Sequence, residues 1–300
     1  MINAVLHVAN NPFNVLCAIA LALVFNFLFV HFNYLFSFFR TGGRFIIDRT
    51  GVFIQKGQKM SLYTISDLHL STLDSTNKSM EIFGKSWADY ITRIKNQWMR
   101  LVSCDDTVII PGDISWALSL EEARSDLKFL DELPGRKILG KGNHDFWWCT
   151  MRKHEAFFEA NGINTISFLY NNAHVVENFI IAGTRGWYND EDAQNAPDNT
   201  DFEKLVNREN LRLRASLKEA KRLKDENPEK EIIVFMHFPP FWNGKASDGL
   251  IEALKEYDVK RLYFGHIHGN YTVEPKFVYE GIEMNIVSAD YLKFTPKIVK

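Results

Sequence analysis

The chain has 300 residues, 46% of them apolar, and a formal net charge of −2. That is enough for a real core in one large domain or two small ones, and the near-neutral balance without a basic stripe gives no electrostatic case for nucleic acid. Cys17, Cys104 and Cys149 are too few and too scattered for a disulfide framework or a CxxC zinc site, so a reducing compartment is the default.

The chain opens on an anomaly. Met1 to Phe39 contains no Asp, Glu, Lys or Arg. Residues 14–39 are long enough to cross a bilayer as one helix. Arg40 and Arg44 follow, and no positive charge precedes, which orients the rest of the chain to the cytoplasm if the helix inserts. The rival reading is an over-extended gene start. Met60 directly precedes the first credible strand, and "QKGQK" before it suits purine-rich DNA of the kind that binds ribosomes. Residues 1–59 are therefore a leader, either anchor or artefact, and residues 60–300 are the working domain. The compartment is cytoplasmic on both readings, soluble or membrane-anchored.

After Met60, strand-like and helix-like stretches alternate, the pattern of an α/β layered domain. "LYTIS" is a strand and "SWADYITRIKNQWMRLV" a helix by its apolar spacing. "TVII" is a strand, and "SLEEARSDLKFLDEL" a helix with Ser119 as N-cap and Glu122 three residues on. "RKILG" is a strand, and "TMRKHEAFFEA" a helix closed by Asn161-Gly162. "HVVENFIIAGT" reads as two strands around a turn. A long charged helix runs from about Asp201 to Lys224. "EIIVFM" is a strand, "DGLIEALKEY" a helix, "KRLYFG" a strand, and "KFVYEGIEMNIVSA" a terminal hairpin.

Five of these strands end in metal-ligating residue types. Asp67 and His69 follow the first, and strand alternation would aim both at one point. Asp113 follows the second. Asn143, His144 and Asp145 follow the third, His237 the fourth, and His266 and His268 the fifth. In α/β sheets the ligand site lies beyond the carboxyl ends of the strands. Imidazole, carboxylate and one amide oxygen suit Mn, Fe, Zn or Co rather than a thiolate-loving ion. The donors exceed the needs of one ion with open positions. Two ions about 3.5–4 Å apart sharing a carboxylate are the usual apparatus for displacement at phosphorus.

In order, the motifs D-x-H, GD, GNHD, a lone His and GHIH resemble those of the calcineurin-like metallophosphoesterase superfamily, across nearly all of residues 60–270. The resemblance implies a four-layer α/β/β/α sandwich, preceded here by the N-terminal apolar helix. It implies that Asp67, His69, Asp113 and His268 hold one divalent ion and that Asp113, Asn143, His237 and His266 hold the other, with Asp113 as the bridge. It implies that His144 faces the substrate rather than a metal. Two such ions would supply a bridging hydroxide to attack phosphorus, with His144 the candidate to protonate the departing alkoxide or steady the transition state. Asp145 either orients His144 or caps backbone. Substrate stays open between monoester and diester, with a lipid-linked phosphate or pyrophosphate if residues 14–39 are an anchor. The rival class is a non-catalytic metal-binding scaffold, and no partner protein is evident. Arg185, between two glycines in "GTRGWYN", is either a phosphate clamp or part of a surface turn. Trp147 and Trp148 form either a substrate wall or core. Cys104 and Cys149 read as inert buried thiols, and His154 and His174 as structural or solvated.

Overall fold

Runs of two to six residues rich in Val, Ile and Phe are too short for helices and pair as strands. The computed structural model describes residues 45–47, 53–55, 60–72, 79–193 and 201–300. The apolar stretch 14–39 lies outside the described residues. Among the described residues no helix is long and apolar enough to cross a membrane. The chain divides into two units, Met1–Lys59 and Met60–Lys300. In the first, β1 (Phe45–Ile47) and β2 (Phe53–Gln55) pair antiparallel.

The second unit carries, in chain order, strands β3 (Leu62–Thr64), β4 (Thr107–Ile110), β5 (Arg136–Leu139), β6 (Ile166–Phe168), β7 (His174–Val176), β8 (Phe179–Thr184), β9 (Glu231–Met236), β10 (Phe241–Trp242), β11 (Lys245–Ala246), β12 (Arg261–Phe264), β13 (Lys276–Tyr279), β14 (Ile282–Ile286) and β15 (Lys297–Val299). Its helices are α1 (Tyr90–Leu101), α2 (Arg124–Glu132), α3 (Met151–Asn161), α4 (Phe202–Glu226) and α5 (Asp248–Glu256). One sheet has the order β15-β3-β4-β5-β6, parallel except for β15. The other has the order β13-β14-β12-β9-β8-β7, with β14, β12, β9 and β8 parallel and antiparallel strands at both edges.

The architecture is the expected four-layer sandwich. Ile109, Ile138, Ile233, Phe235 and Tyr263, drawn from both sheets, form the core between them. The outer face of the five-stranded sheet is covered by α1, α2 and α3, and that of the six-stranded sheet by α4 and α5. The sequence explains the seating. In α1, Tyr90, Ile94 and Trp98 fall at i, i+4 and i+8 and are all buried. Trp98 also donates its indole N–H to the Pro134 carbonyl at 2.9 Å, and truncating such a side chain costs about 3–5 kcal/mol. Asp201 caps α4 by accepting from the Lys204 amide at 2.9 Å.

Some expectations shift. Ser119 does accept from the Glu122 amide, and Glu122 accepts in return from the Leu118 amide. This box closes a separate turn, however, and α2 begins only at Arg124. β1, β2, β6, β10, β11 and β15 were not foreseen. Each has only two or three residues, too few for alternation to register.

Candidate metal centre

The five strands whose ends carry the candidate residues are β3, β4, β5, β9 and β12. Each runs parallel to its neighbour within one of the two sheets, so their carboxyl ends gather side chains far apart in the chain. His268 Nε2 lies 3.1 Å from Asp67 Oδ1 and 3.4 Å from His69 Nε2. Asp113 Oδ2 lies 3.6 Å from His69 Nε2 and 3.5 Å from His237 Nε2. Asn143 Oδ1 lies 2.7 Å from His237 Nε2 and 3.1 Å from His266 Nδ1. All seven side chains expected to act as ligands thus join one connected cluster. Two subsets, Asp67 with His69 and His268, and Asp67 with Asp113 and His237, each offer ligand atoms within 4.8 Å of one another.

The route by which Asp67 and His69 arrive differs from strand alternation. β3 ends at Thr64. Asp67 and His69 lie beyond it with φ of 59° and 44°, around the buried Leu68. Asp113 and His266 share this left-handed conformation, with φ of 51° and 67°. Asp, Asn and His are among the residues that tolerate it best. Two glycines let the loops close in. A Cβ on Gly142 would sit 2.0 Å from Asp113 Oδ1, and one on Gly265 would sit 2.3 Å from Asp67 Oδ2, so no side chain fits at either position.

The electrostatics favour a cation. Asp67 and Asp113 are 0% and 2% exposed, yet their ion pairs among the described residues all run to histidines. Two buried carboxylates without a lysine or arginine call for another positive charge. Burial, then the charges of Asp67 and Asp145, push the Asp113 carboxyl well above its usual range. Burial also opposes ionisation of Asp67, but His268, by charge and hydrogen bond, with His237 and His69, holds its carboxyl well below the usual range. Burial drives the imidazoles of His69 and His237 down, and His266 down to about 4. Neutral imidazole is the form that binds a metal. Burial would lower His268 too, but Asp67 and Asp290 raise it to about 10. The residues present fit divalent ions.

The remaining candidates fall around this cluster. Asp145 is buried and accepts from the amides of Asp113, Ile114, Ser115 and Gly142 and from the Trp147 indole, at 2.8 to 3.3 Å. That is the backbone-capping arrangement, and it ties the Asp113 loop to the Asn143 loop. The His144 amide donates to Asp113 Oδ1 at 2.8 Å. The half-buried His144 ring lies 5.6 Å from that of His69 and 4.5 Å from that of Trp116. Arg185 is turned toward structure: Nη2 reaches Glu209 Oε1 at 3.4 Å and the guanidinium stacks on Trp187.

Trp147 is 2% exposed and belongs to the core, and the half-buried Trp148 packs against it. His154 is buried, accepts from the Cys149 amide, and is held down to about 4 by burial. His174 is half-buried on β7, its ring nitrogen 2.9 Å from the Phe168 carbonyl. The cysteine expectation fails, because Cys104 is exposed and Cys149 only half-buried; both sit in connecting segments. One site residue was not foreseen. Asp290 accepts from His268 Nδ1, the Gly269 amide and the Tyr271 hydroxyl, each at 3.0 Å. It follows β14, so the rule that polar residues beyond strands make the site would have found it.

The sequence model described as calcineurin-like phosphoesterase matches residues 60–270. No curated protein matches the sequence. Among solved structures, the fold is similar to the phosphopantetheinyl hydrolase of Mycobacterium tuberculosis, at 14% identity and a TM-score of 0.50, covering 81% of this chain and 96% of that one. A Thermus thermophilus protein aligns at 8% identity and a TM-score of 0.46, covering 81% of this chain and 99% of its own.

Proposed function

The chain belongs to the calcineurin-like phosphoesterase family, metal-dependent hydrolases of phosphoric esters, and from that premise we propose that it works through two divalent ions sharing Asp113. The observation that carries this is the position of Asp113 Oδ2, 3.6 Å from His69 Nε2 on one side and 3.5 Å from His237 Nε2 on the other. Asp67, His69, Asp113 and His268 would hold one ion, and Asp113, Asn143, His237 and His266 the second. The donor types suit Mn, Fe, Zn or Co. Bound there, such ions supply hydroxide near neutral pH and neutralise charge on the phosphoryl oxygens.

The chain's own residues do the rest. Asp145 fixes the loop on which Asp113 sits. Asp290 accepts a hydrogen bond from His268 Nδ1, which would turn Nε2 toward an ion that displaces its proton. His144 stands beside the cluster on the face of a cavity of about 510 Å³ walled by Phe83, Trp87 and Trp116, where it would hold a proton for the departing ester oxygen. Breaking the P–O bond then yields a neutral alcohol instead of an alkoxide. Arg185 is held by Glu209 and takes no part in this scheme. The complete donor set speaks against a scaffold that has lost its metal. We assign the catalytic unit to residues 60–300.

The test uses the full chain. Chelated protein should hydrolyse nothing, and elemental analysis after reloading should give two ions per chain together with turnover of aryl phosphates. One ion per chain at full activity, or turnover without metal, would refute the scheme. His144→Ala should retain both ions and lose more activity on a poor leaving group than on p-nitrophenolate. Equal losses on both would remove the acid role.

A further inference from the structure

Helix α2 carries an acid where its pattern calls for an apolar residue. Ala123, Leu127 and Leu130 turn one face against the five-stranded sheet, and Asp126 shares that face and is 2% exposed. A place in the first turn of a helix suits a carboxylate, but it gives no reason to bury one.

The reason lies in two loops. Asp126 Oδ1 accepts from the Thr72 amide at 2.8 Å and from the Thr72 hydroxyl, and Oδ2 accepts from the Ser115 hydroxyl. Thr72 comes three residues after His69, and Ser115 two after Asp113. These two segments run side by side beyond β3 and β4. The amides of Asp67, His69 and Leu70 donate to the carbonyls of Gly112, Asp113 and Ile114 at 2.9 to 3.0 Å, and the Trp116 amide donates back to the Leu70 carbonyl at 3.1 Å. Leu70 pairs with Ser115, and Asp126 closes this extension at its far end. The Asp113 segment has a second hold, because Asp145 accepts from its amides. The other segment has Tyr90, whose hydroxyl donates to the His69 carbonyl at 2.7 Å, and then Asp126.

Resting on the two-ion reading, we infer that Asp126 is a positioning residue of the metal centre. By tying Thr72 to Ser115 it fixes His69 against Asp113 for the first ion, the one assigned to Asp67, His69, Asp113 and His268. It touches none of these side chains and acts through the backbone of the D-x-H segment. The second ion draws on Asn143, His237 and His266, to which Asp126 makes no bond, and on Asp113, which Asp145 keeps in place. Losing Asp126 therefore weakens one ion and spares the other. Hydrogen bonds do this work rather than charge, since the donors are an amide and two hydroxyls, all neutral. Asparagine offers the same oxygen to Thr72 and turns its amide to the Ser115 hydroxyl oxygen, which can accept it.

The experiment titrates Zn²⁺ into the chelated full chain against a competing chelator, which resolves the two binding steps. His268→Ala and His237→Ala identify the step that belongs to each ion, and the melting temperature of the chelated protein is read alongside. Asp126→Ala should weaken the step marked by His268 about 10- to 100-fold, the span for a group behind a ligand, and leave the other within threefold. Asp126→Asn should keep both steps within threefold of wild type. If Asp126→Ala does not fold, Thr72→Val, which removes one of the three donors, should weaken the same step at least threefold; a smaller loss overturns the inference. Unchanged steps with a lower melting temperature would make Asp126 purely structural and also overturn it. So would equal losses in both steps, or an asparagine variant as weak as alanine. A wild type with a single binding step overturns the two-ion reading and this inference with it.

Discussion

Replacing Asp290 tests whether a residue that touches no proposed ion governs metal binding. Its side chain is 1% exposed and receives three donors at 3.0 Å, from His268, Gly269 and Tyr271. A hydrogen bond to a charged group contributes about 1.5–3 kcal/mol, and loss of a partner behind a metal-bound histidine weakens metal affinity about 10- to 100-fold. The two scales agree, because about 1.4 kcal/mol is tenfold. Asp290→Asn keeps the shape and one acceptor oxygen, so about tenfold weaker binding is expected. Asp290→Ala removes every acceptor, which places it near a hundredfold. The assay is competition with a chelator of known affinity, read as the free metal concentration at half occupancy. The melting temperature of chelated protein is measured alongside, because Ala also strands the Gly269 amide. Metal affinity of Asp290→Ala within threefold of wild type would refute the reasoning. So would equal losses for Asn and Ala, since the ranking follows from the acceptor count.

Two further predictions concern stability. Glu209 has a fully buried side chain on α4 that takes Arg212 at 2.7 Å, Arg185 at 3.4 Å and the Thr184 hydroxyl at 2.8 Å. Glu209→Ala leaves the largely buried Arg185 unpaired and should cost about 3–5 kcal/mol in urea unfolding; a loss under about 1 kcal/mol would contradict the assignment of Arg185 to structure. Lys137, buried on β5, donates to the Leu133 carbonyl and to Thr165 Oγ1, and burial lowers its ammonium from 10.5 to about 8. Between those two values the unfolded chain binds more protons than the folded one, so wild-type stability should rise with pH relative to Lys137→Met, by up to about 3 kcal/mol. A pH-independent difference between the two proteins would refute this.

The site was more legible in the sequence than its geometry was. Asp113, Asn143, His237, His266 and His268 announce themselves because each follows an apolar run, and β4 and β9 have the bounds those runs suggest. The path of the D-x-H pair did not show, because backbone angles beyond a strand depend on what packs there, and Leu68 packs inward. Asp290 escaped notice because it follows a hairpin strand and lies outside the motif region, although its distance from His268 in space is one hydrogen bond. The cavity beside His144 could not be read at all: Phe83, Trp87 and Trp116 lie apart from His144 in sequence and become its walls only when the fold brings them together. Short edge strands such as β15 owe their existence to the neighbour they pair with, here β3, and carry no pattern of their own.

The left-handed backbone at Asp67, His69, Asp113 and His266 narrows what could replace them. A substitute must satisfy the coordination chemistry and also accept a conformation that costs ordinary side chains about 1–2 kcal/mol. Glutamate and cysteine meet the first demand and not the second. Alanine scanning at these four places would mix loss of the proposed donor atom with a retained backbone penalty, whereas glycine removes that donor and relaxes the chain together. The difference between the glycine and alanine variants at each position would measure how much conformational tension the fold holds at its reactive end.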